Sequence, residues 1–168
     1  LSAKIKDAAD QLATRDNMLV GGLLVELGKG DGVLSLPARF DLKQRGPQAM
    51  QLLGLDQIVV VDDRGEVLVS PHFQAHVGEI DDYPAALVRE HAGGVVLSSY
   101  DVLRQGTMIH ALVLQTARVV ADGEQSVVVL AGREVGATIL DRIVRPGSVQ
   151  AWLVDKSGNN LLSRAPIG

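Results

Sequence analysis

The stretch LGLDQIVVVDDRGEVLVSP, residues 53–71, places two short β-branched runs, Ile58-Val59-Val60-Val61 and Glu66-Val67-Leu68-Val69-Ser70, on either side of Asp62-Asp63-Arg64-Gly65. Branched side chains pack well on a pleated strand, and a glycine supplies the positive φ of a tight turn. The spacing therefore predicts a β-hairpin with its turn at 62–65. Toward the C-terminus, residues 71–92 read as a loop with one short helix, about Pro84 to His91, and Val95 to Tyr100 and Thr107 to Val120 read as strands. Asp122-Gly123 is a two-residue hairpin signal, and Gln125 to Ala131 is the returning strand. About five antiparallel strands result. Glu134 to Ile143 sets Val135, Ile139 and Ile143 on one helical face, and Arg145-Pro146-Gly147 ends it.

Toward the N-terminus, Leu1, Ile5, Ala8 and Leu12 recur at spacings of four and three with polar residues between them, the stripe of an amphipathic helix. Thr14 and Asp16 are candidate caps for a second helical piece, Asn17 to Leu27, closed by Gly28 and Gly30. A third runs from about Leu36 to Leu53, with Ser35 as N-cap, Pro37 in the first turn and Gly54 after the end. Gly46-Pro47 is expected to interrupt it. The fold class is α+β: a central antiparallel sheet of about five strands, a long N-terminal helical segment (1–54) and flanking helices. The sheet domain is expected to span 55–148.

The end of the chain repeats its decisive stretch. Val61-Asp62, Gly65, Leu68 and Ser70 align with Val154-Asp155, Gly158, Leu161 and Ser163 at a constant offset of 93 residues (155 − 62). Residues 149–168 then either open a second, similar lobe or add a hairpin to the first sheet.

Composition bounds the function. With 46% hydrophobic and 21% charged residues, the 168-residue chain can bury one medium core. A formal net charge of -4, both signs scattered, offers no basic stripe for nucleic acid and no polybasic segment for an anionic membrane. Without cysteine there is no disulfide framework, thiolate metal site or cysteine nucleophile. The densest apolar stretch, Met18 to Leu27, contains Gly21, Gly22 and Glu26 and is about half of the roughly twenty residues a membrane span needs. The start at Leu1 and the end at Arg164-Ala165-Pro166-Ile167-Gly168 suggest a piece of a longer protein.

Catalytic signatures are weak. His72, His76, Glu79, Asp81 and Asp82 suggest zinc ligands only if His72 and His76 share a helical face, and Pro71 and Gly78 point to a loop instead. No metal or cofactor is expected. The serines lack a Gly-x-Ser-x-Gly setting, and Gly28-Lys29-Gly30-Asp31-Gly32 follows a helix and lacks the order and ending of a phosphate-binding loop. Asp62-Asp63 and Asp81-Asp82 read as solvated turn residues. An enzyme is not expected.

The helical lead-in, the 53–71 hairpin and GGVVLSSYDVLRQGTMIHALVLQTARVVADGEQSVVVLAGREV together resemble the extracytoplasmic PAS-like domains called Cache or PDC domains, over residues 1 to about 148. GSVQAWLVDKSGNNLLSR looks like the opening of a membrane-proximal lobe of the same kind. The resemblance implies a periplasmic sensor of a small molecule or partner protein, in a membrane-anchored histidine kinase acting through a two-component system. It also implies a pocket between the sheet and the loop-helix after the first hairpin. There Tyr83, Ser98, Tyr100, His110 and Arg118 are the candidate ligand-binding residues, Arg118 as a forked anchor for a small carboxylate if it faces inward. The aromatic and arginine box of amino-acid-binding members is not found. Receptor kinases act as dimers, so residues 1–12 are a candidate homodimer seam, although the same stripe could pack on its own sheet. The alternative is a cytosolic roadblock- or GAF-type interaction module, which would not need so long a helical lead-in.

Overall fold

A computed structural model describes residues 1–30, 32–104, 106–136, 151–154 and 160–164, and their side chains apart from those of 101–104, 108, 110, 151–154 and 160–164. Three helices lead: α1 Ser2–Leu12, α2 Val20–Lys29 and α3 Leu36–Leu53. The hairpin of β1 Gln57–Val61 and β2 Val67–Val69 follows, then a 3-10 turn at Gln74–His76 and α4 Tyr83–His91. β3 Val96–Arg104, β4 Thr107–Asp122 and β5 Gln125–Glu134 complete an antiparallel sheet of order β2-β1-β5-β4-β3. β1 pairs with β2 on one side and with β5 on the other, in register from Gln57↔Gly132 to Val61↔Val128. The α+β class and the five-stranded sheet read from the sequence are those of the structure.

The two faces of this sheet bury different things. Ile58, Val60, Leu68, Val120, Val127, Val129 and Ala131 pack against Ala8, Ala9 and Leu12 of α1, Leu23, Leu24 and Leu27 of α2, and Ala38 and Leu42 of α3. Val59, Val61, Val67, Ala117 and Leu130 lie on the other side with Leu87 of α4. Each large apolar side chain so buried contributes about 1.5–3 kcal/mol. This arrangement corrects the expected seam at residues 1–12. Ile5 is 1% exposed and Leu12 0% within one chain, so the stripe that would join two copies already packs on its own protein.

Three local expectations also change. Asn17, rather than Thr14 or Asp16, prepares the start of α2: its Oδ1 accepts from the amides of Leu19 (2.9 Å) and Val20 (3.2 Å). α3 runs through Gly46-Pro47 without interruption. Pro47 removes one amide donor, but a Cβ on Gly46 would lie 2.9 Å from Cγ of Pro71, so glycine is what lets the helix lie against the end of the hairpin. Glu134 closes β5 instead of opening a helix, and residues 137–143 of that expected helix lie outside the described residues.

The chain forms two compact units, residues 1–97 with 114–133, and residues 98–113 with 134–168. In the second, Tyr100 Oη donates to Glu134 Oε1 (2.8 Å) and the Val135 amide donates to the Leu112 carbonyl (2.9 Å). β6 Ala151–Val154 and β7 Asn160–Arg164 pair antiparallel in a two-stranded sheet of their own.

Candidate functional site

The site is framed by the hairpin turn. Asp62 is buried, and its Oδ1 accepts from the amides of Arg64 (2.9 Å) and Glu66 (2.8 Å), while Oδ2 accepts from Arg64 Nε and Nη2 at 3.1 and 3.0 Å. That hydrogen-bonded carboxylate, with Glu66 and Asp63 adding to it, raises the Arg64 pKa further above its already high ordinary value. Gly65 closes the turn at φ 82°, a conformation any side chain would strain. The following loop then runs back along β2: Val67 N donates to Glu79 O (2.9 Å), Gly78 N to Val67 O (2.8 Å) and Asp81 N to Gly65 O (2.8 Å). It delivers Tyr83 to the start of α4, where the Tyr83 amide donates to Asp81 Oδ1 (2.9 Å).

From that position Tyr83 Oη donates to Gln115 Oε1 (2.8 Å), and Gln115 Nε2 donates to Gln57 Oε1. Gln57 and Gln115 are 7% and 3% exposed, in alternation with Val59 and Val61 on β1 and with Ala117 on β4. The result is a polar chain on the otherwise apolar α4 side of the sheet, rooted in two buried amides and ending at a phenol that is part of a 42% exposed residue. Each amide carries donors and an acceptor, so the chain can reorganise around a small polar group without stranding its partners.

The expected site residues separate. Tyr83 belongs to this chain. Arg118 does not: its Nε donates to Asp10 Oδ1 of α1 (2.7 Å), and its Nη1 donates to Gly93 O (3.1 Å), Thr116 Oγ1 (2.7 Å) and Ala117 O (3.0 Å). Alternation along β4 sets Arg118 with Val120 on the helix α1 side, while Gln115 and Ala117 take the α4 side. Through these contacts Arg118 ties together α1, β4 and the turn after α4. Ser98 and Tyr100 lie in the second unit, Tyr100 bonded to Glu134, and the side chain of His110 lies outside the described residues. Sequence reading missed Gln57 and Gln115 as site residues. Their signal was a glutamine at an inward position of a β-branched strand, where an apolar residue is the rule. Of the histidine and acid cluster, His76 Nε2 lies 3.6 Å from Asp81 Oδ2, and among the described residues no group of three or more such side chains is placed to hold a metal.

No family model matches the sequence, and no curated protein does. Solved structures do. The sensor domain of the Vibrio cholerae histidine kinase DctB superposes with a TM-score of 0.58 at 13% identity, over 96% of this chain and 58% of that one. The periplasmic domain of Vibrio cholerae LuxQ gives 0.57 at 13% identity, over 97% of this chain and 71% of that one. The ligand-binding domain of the Campylobacter jejuni chemoreceptor Tlp3, in complex with 4-methylisoleucine, gives 0.53 at 10% identity over 96% and 60%. The chain has the PAS-like fold of these bacterial sensor domains. It spans less than two thirds of the length of the DctB and Tlp3 domains.

Proposed function

We infer that this chain is the sensing part of an extracytoplasmic bacterial receptor, with its ligand or stimulus read on the α4 side of the sheet. The observation that carries the reading is the Tyr83–Gln115–Gln57 chain, a polar device buried on the side covered by α4. Small-molecule sites are mostly apolar with a few placed polar groups, and the surrounding Val59, Val61, Leu87 and Ala117 fit that description. The PAS-like fold shared with periplasmic sensors supports the location outside the cytoplasm, and the Tlp3 complex supports a small organic ligand. A cytosolic roadblock- or GAF-type module is not favoured.

Further parts of the reading concern the longer protein. Membrane anchoring, a histidine kinase output and a second lobe opened by residues 149–168 form one consistent receptor; chemoreceptor output fits the same sensor equally well. The separate β6–β7 sheet and the partial span of the neighbours support the second lobe. Ser98, Tyr100 and His110 remain proposed ligand contacts of the second unit, and Tyr83 is one of the first unit by itself.

The test is thermal unfolding against small carboxylates and amino acids. A ligand of the folded state raises Tm with the logarithm of its concentration. The expected result is a binder whose shift is lost in Tyr83→Phe and in Gln115→Leu. A binder whose shift both variants retain would overturn the site. In the full-length protein, a disulfide-dependent phosphatase fused near residue 168 should be active, and an inactive fusion would overturn the location.

A further inference from the structure

A cleft lies on the opposite side of β2 from α4, between α3 and the 3-10 turn. It has a volume of about 330 Å³ and is lined by Arg39, Phe40, Leu42, Lys43, Leu68, Val69, Ser70, Gln74 and Val77. Such a volume is at the lower end of small-molecule sites, about 300–1,000 Å³. Three observations in this cleft point to a ligand.

The first is Ser70. It is 1% exposed, and its Oγ has no hydrogen-bond partner among the described residues, a state that burial makes unfavourable for a hydroxyl. A buried donor left open at the wall of a cleft is a place where an external acceptor restores what folding removed. The second is charge. Arg39 and Lys43 stand one helical turn apart on α3, on the same face. The Lys43 ammonium has no partner among the described residues. Arg39 donates Nε to the Leu34 carbonyl at 3.4 Å and stands 3.9 Å from Glu66 Oε1, beyond hydrogen-bond distance, so its fork is only partly engaged. The third is the apolar remainder: Leu42, Leu68 and Val69 are buried, and Phe40 stands 64% exposed at the same cleft.

We propose that this α3–β2 cleft binds a small monocarboxylate with an apolar body, its carboxylate held by Lys43, Arg39 and the Ser70 hydroxyl. One negative charge matches the site better than two, because Glu66 beside Arg39 repels a second. The apolar lining selects for an acid with a hydrocarbon body over a bare inorganic anion, whose hydration this surface would strip without return. The site is separate from the Tyr83 chain and does not depend on it. Because α3 lies against the end of the hairpin at Gly46 and Pro71, occupancy would bear directly on how the N-terminal helices meet the sheet edge.

The experiment is heteronuclear NMR on the 168-residue chain, titrated with hexanoate and benzoate at millimolar concentrations. Acetate, hexan-1-ol and inorganic phosphate serve as comparison probes. Hexanoate or benzoate should shift the amides of Ser70, Gln74, Val77 and Lys43, and the comparison probes should bind at least about tenfold more weakly. Lys43→Gln should weaken the acid about tenfold, as for loss of one charge-assisted contact. Ser70→Ala removes a group with no partner among the described residues, so it should fold at least as well as the parent yet bind the acid about threefold or more weakly. Saturation without shifts at these amides would overturn the proposal. So would equal binding of hexan-1-ol, affinity unchanged in Lys43→Gln, or shifts confined to Tyr83 and Gln115, the last assigning the acid to the other side of the sheet.

Discussion

Asp62→Ala should destabilise the chain by about 1.5–3 kcal/mol, and the turn geometry says where that comes from. Two backbone amides, Arg64 and Glu66, donate to one carboxylate oxygen at 2.9 and 2.8 Å. Hydrogen bonds to a charged group contribute about 1.5–3 kcal/mol each, an upper limit of about 3–6 kcal/mol for the pair. The Asp62 side chain is itself buried, but the turn it organises is at the surface, and water rehydrates the released amides in the variant, which removes about half of that limit. The Arg64 side chain is 64% exposed, so its ion pair with Asp62 adds little. At about 2–4 °C per kcal/mol for a chain of this size, Tm should fall by about 3–12 °C. Urea unfolding followed by circular dichroism measures the loss directly. Asp62→Asn keeps a neutral acceptor for the amides and should cost about half as much, while Arg64→Ala should cost clearly less than either. An Asp62→Ala loss under about 0.5 kcal/mol, or an Arg64→Ala loss equal to it, would refute the assignment of this stability to the amide bonds.

Ile5→Asp with Leu12→Asp places two carboxylates in a core already closed within one chain, so the double variant should unfold by circular dichroism; a folded protein that merely changes mass in sedimentation would restore the dimer seam. Arg118→Ala should cost about 1–3 kcal/mol, and a double-mutant cycle with Asp10→Ala should return about 1 kcal/mol of coupling for this partly exposed pair; zero coupling would dismiss the tie between α1 and β4. Gln115→Leu alone should cost about 1–3 kcal/mol by stranding Gln57, whereas Gln57→Leu with Gln115→Leu should cost less than the single change, both read from urea midpoints. Ala92 caps α4 at φ 43°, and Ala92→Gly should be stabilising by up to about 1 kcal/mol in the same assay.

What the sequence made legible followed from local chemistry. The β-branched runs around Asp62–Gly65 specify a hairpin wherever they occur, and Ser35 and Gly54 bracket α3 because cap chemistry is satisfied within a few residues. The failures share a cause of the other kind. Gly46-Pro47 looks like a break, yet Pro71, distant in sequence, fills the space beside Gly46 and supports a continuous helix. Alternation places Arg118 and Gln115 on opposite sides of β4, but which side meets α4 is decided by packing across the sheet. The α1 stripe could equally serve a partner or its own sheet, because a period of three and four reports an apolar side and not its neighbour. Likewise, nothing in the order of residues places Tyr83 beside Gln115, which lies 32 positions later.

The place of β1 in the sheet also constrains how the protein acquires its fold. One neighbour of β1 follows immediately, but the other, β5, comes only after 63 intervening residues (124 − 61): Gln57 meets Gly132 and Val61 meets Val128. Until that late strand arrives, α1, α2 and α3 have only an unfinished surface to dock on, and their leucines stay exposed to water and to other chains. Such distant pairing places the chain among slow folders, on the order of milliseconds to seconds, and makes the interval before β5 closes the sheet the period of greatest risk of aggregation.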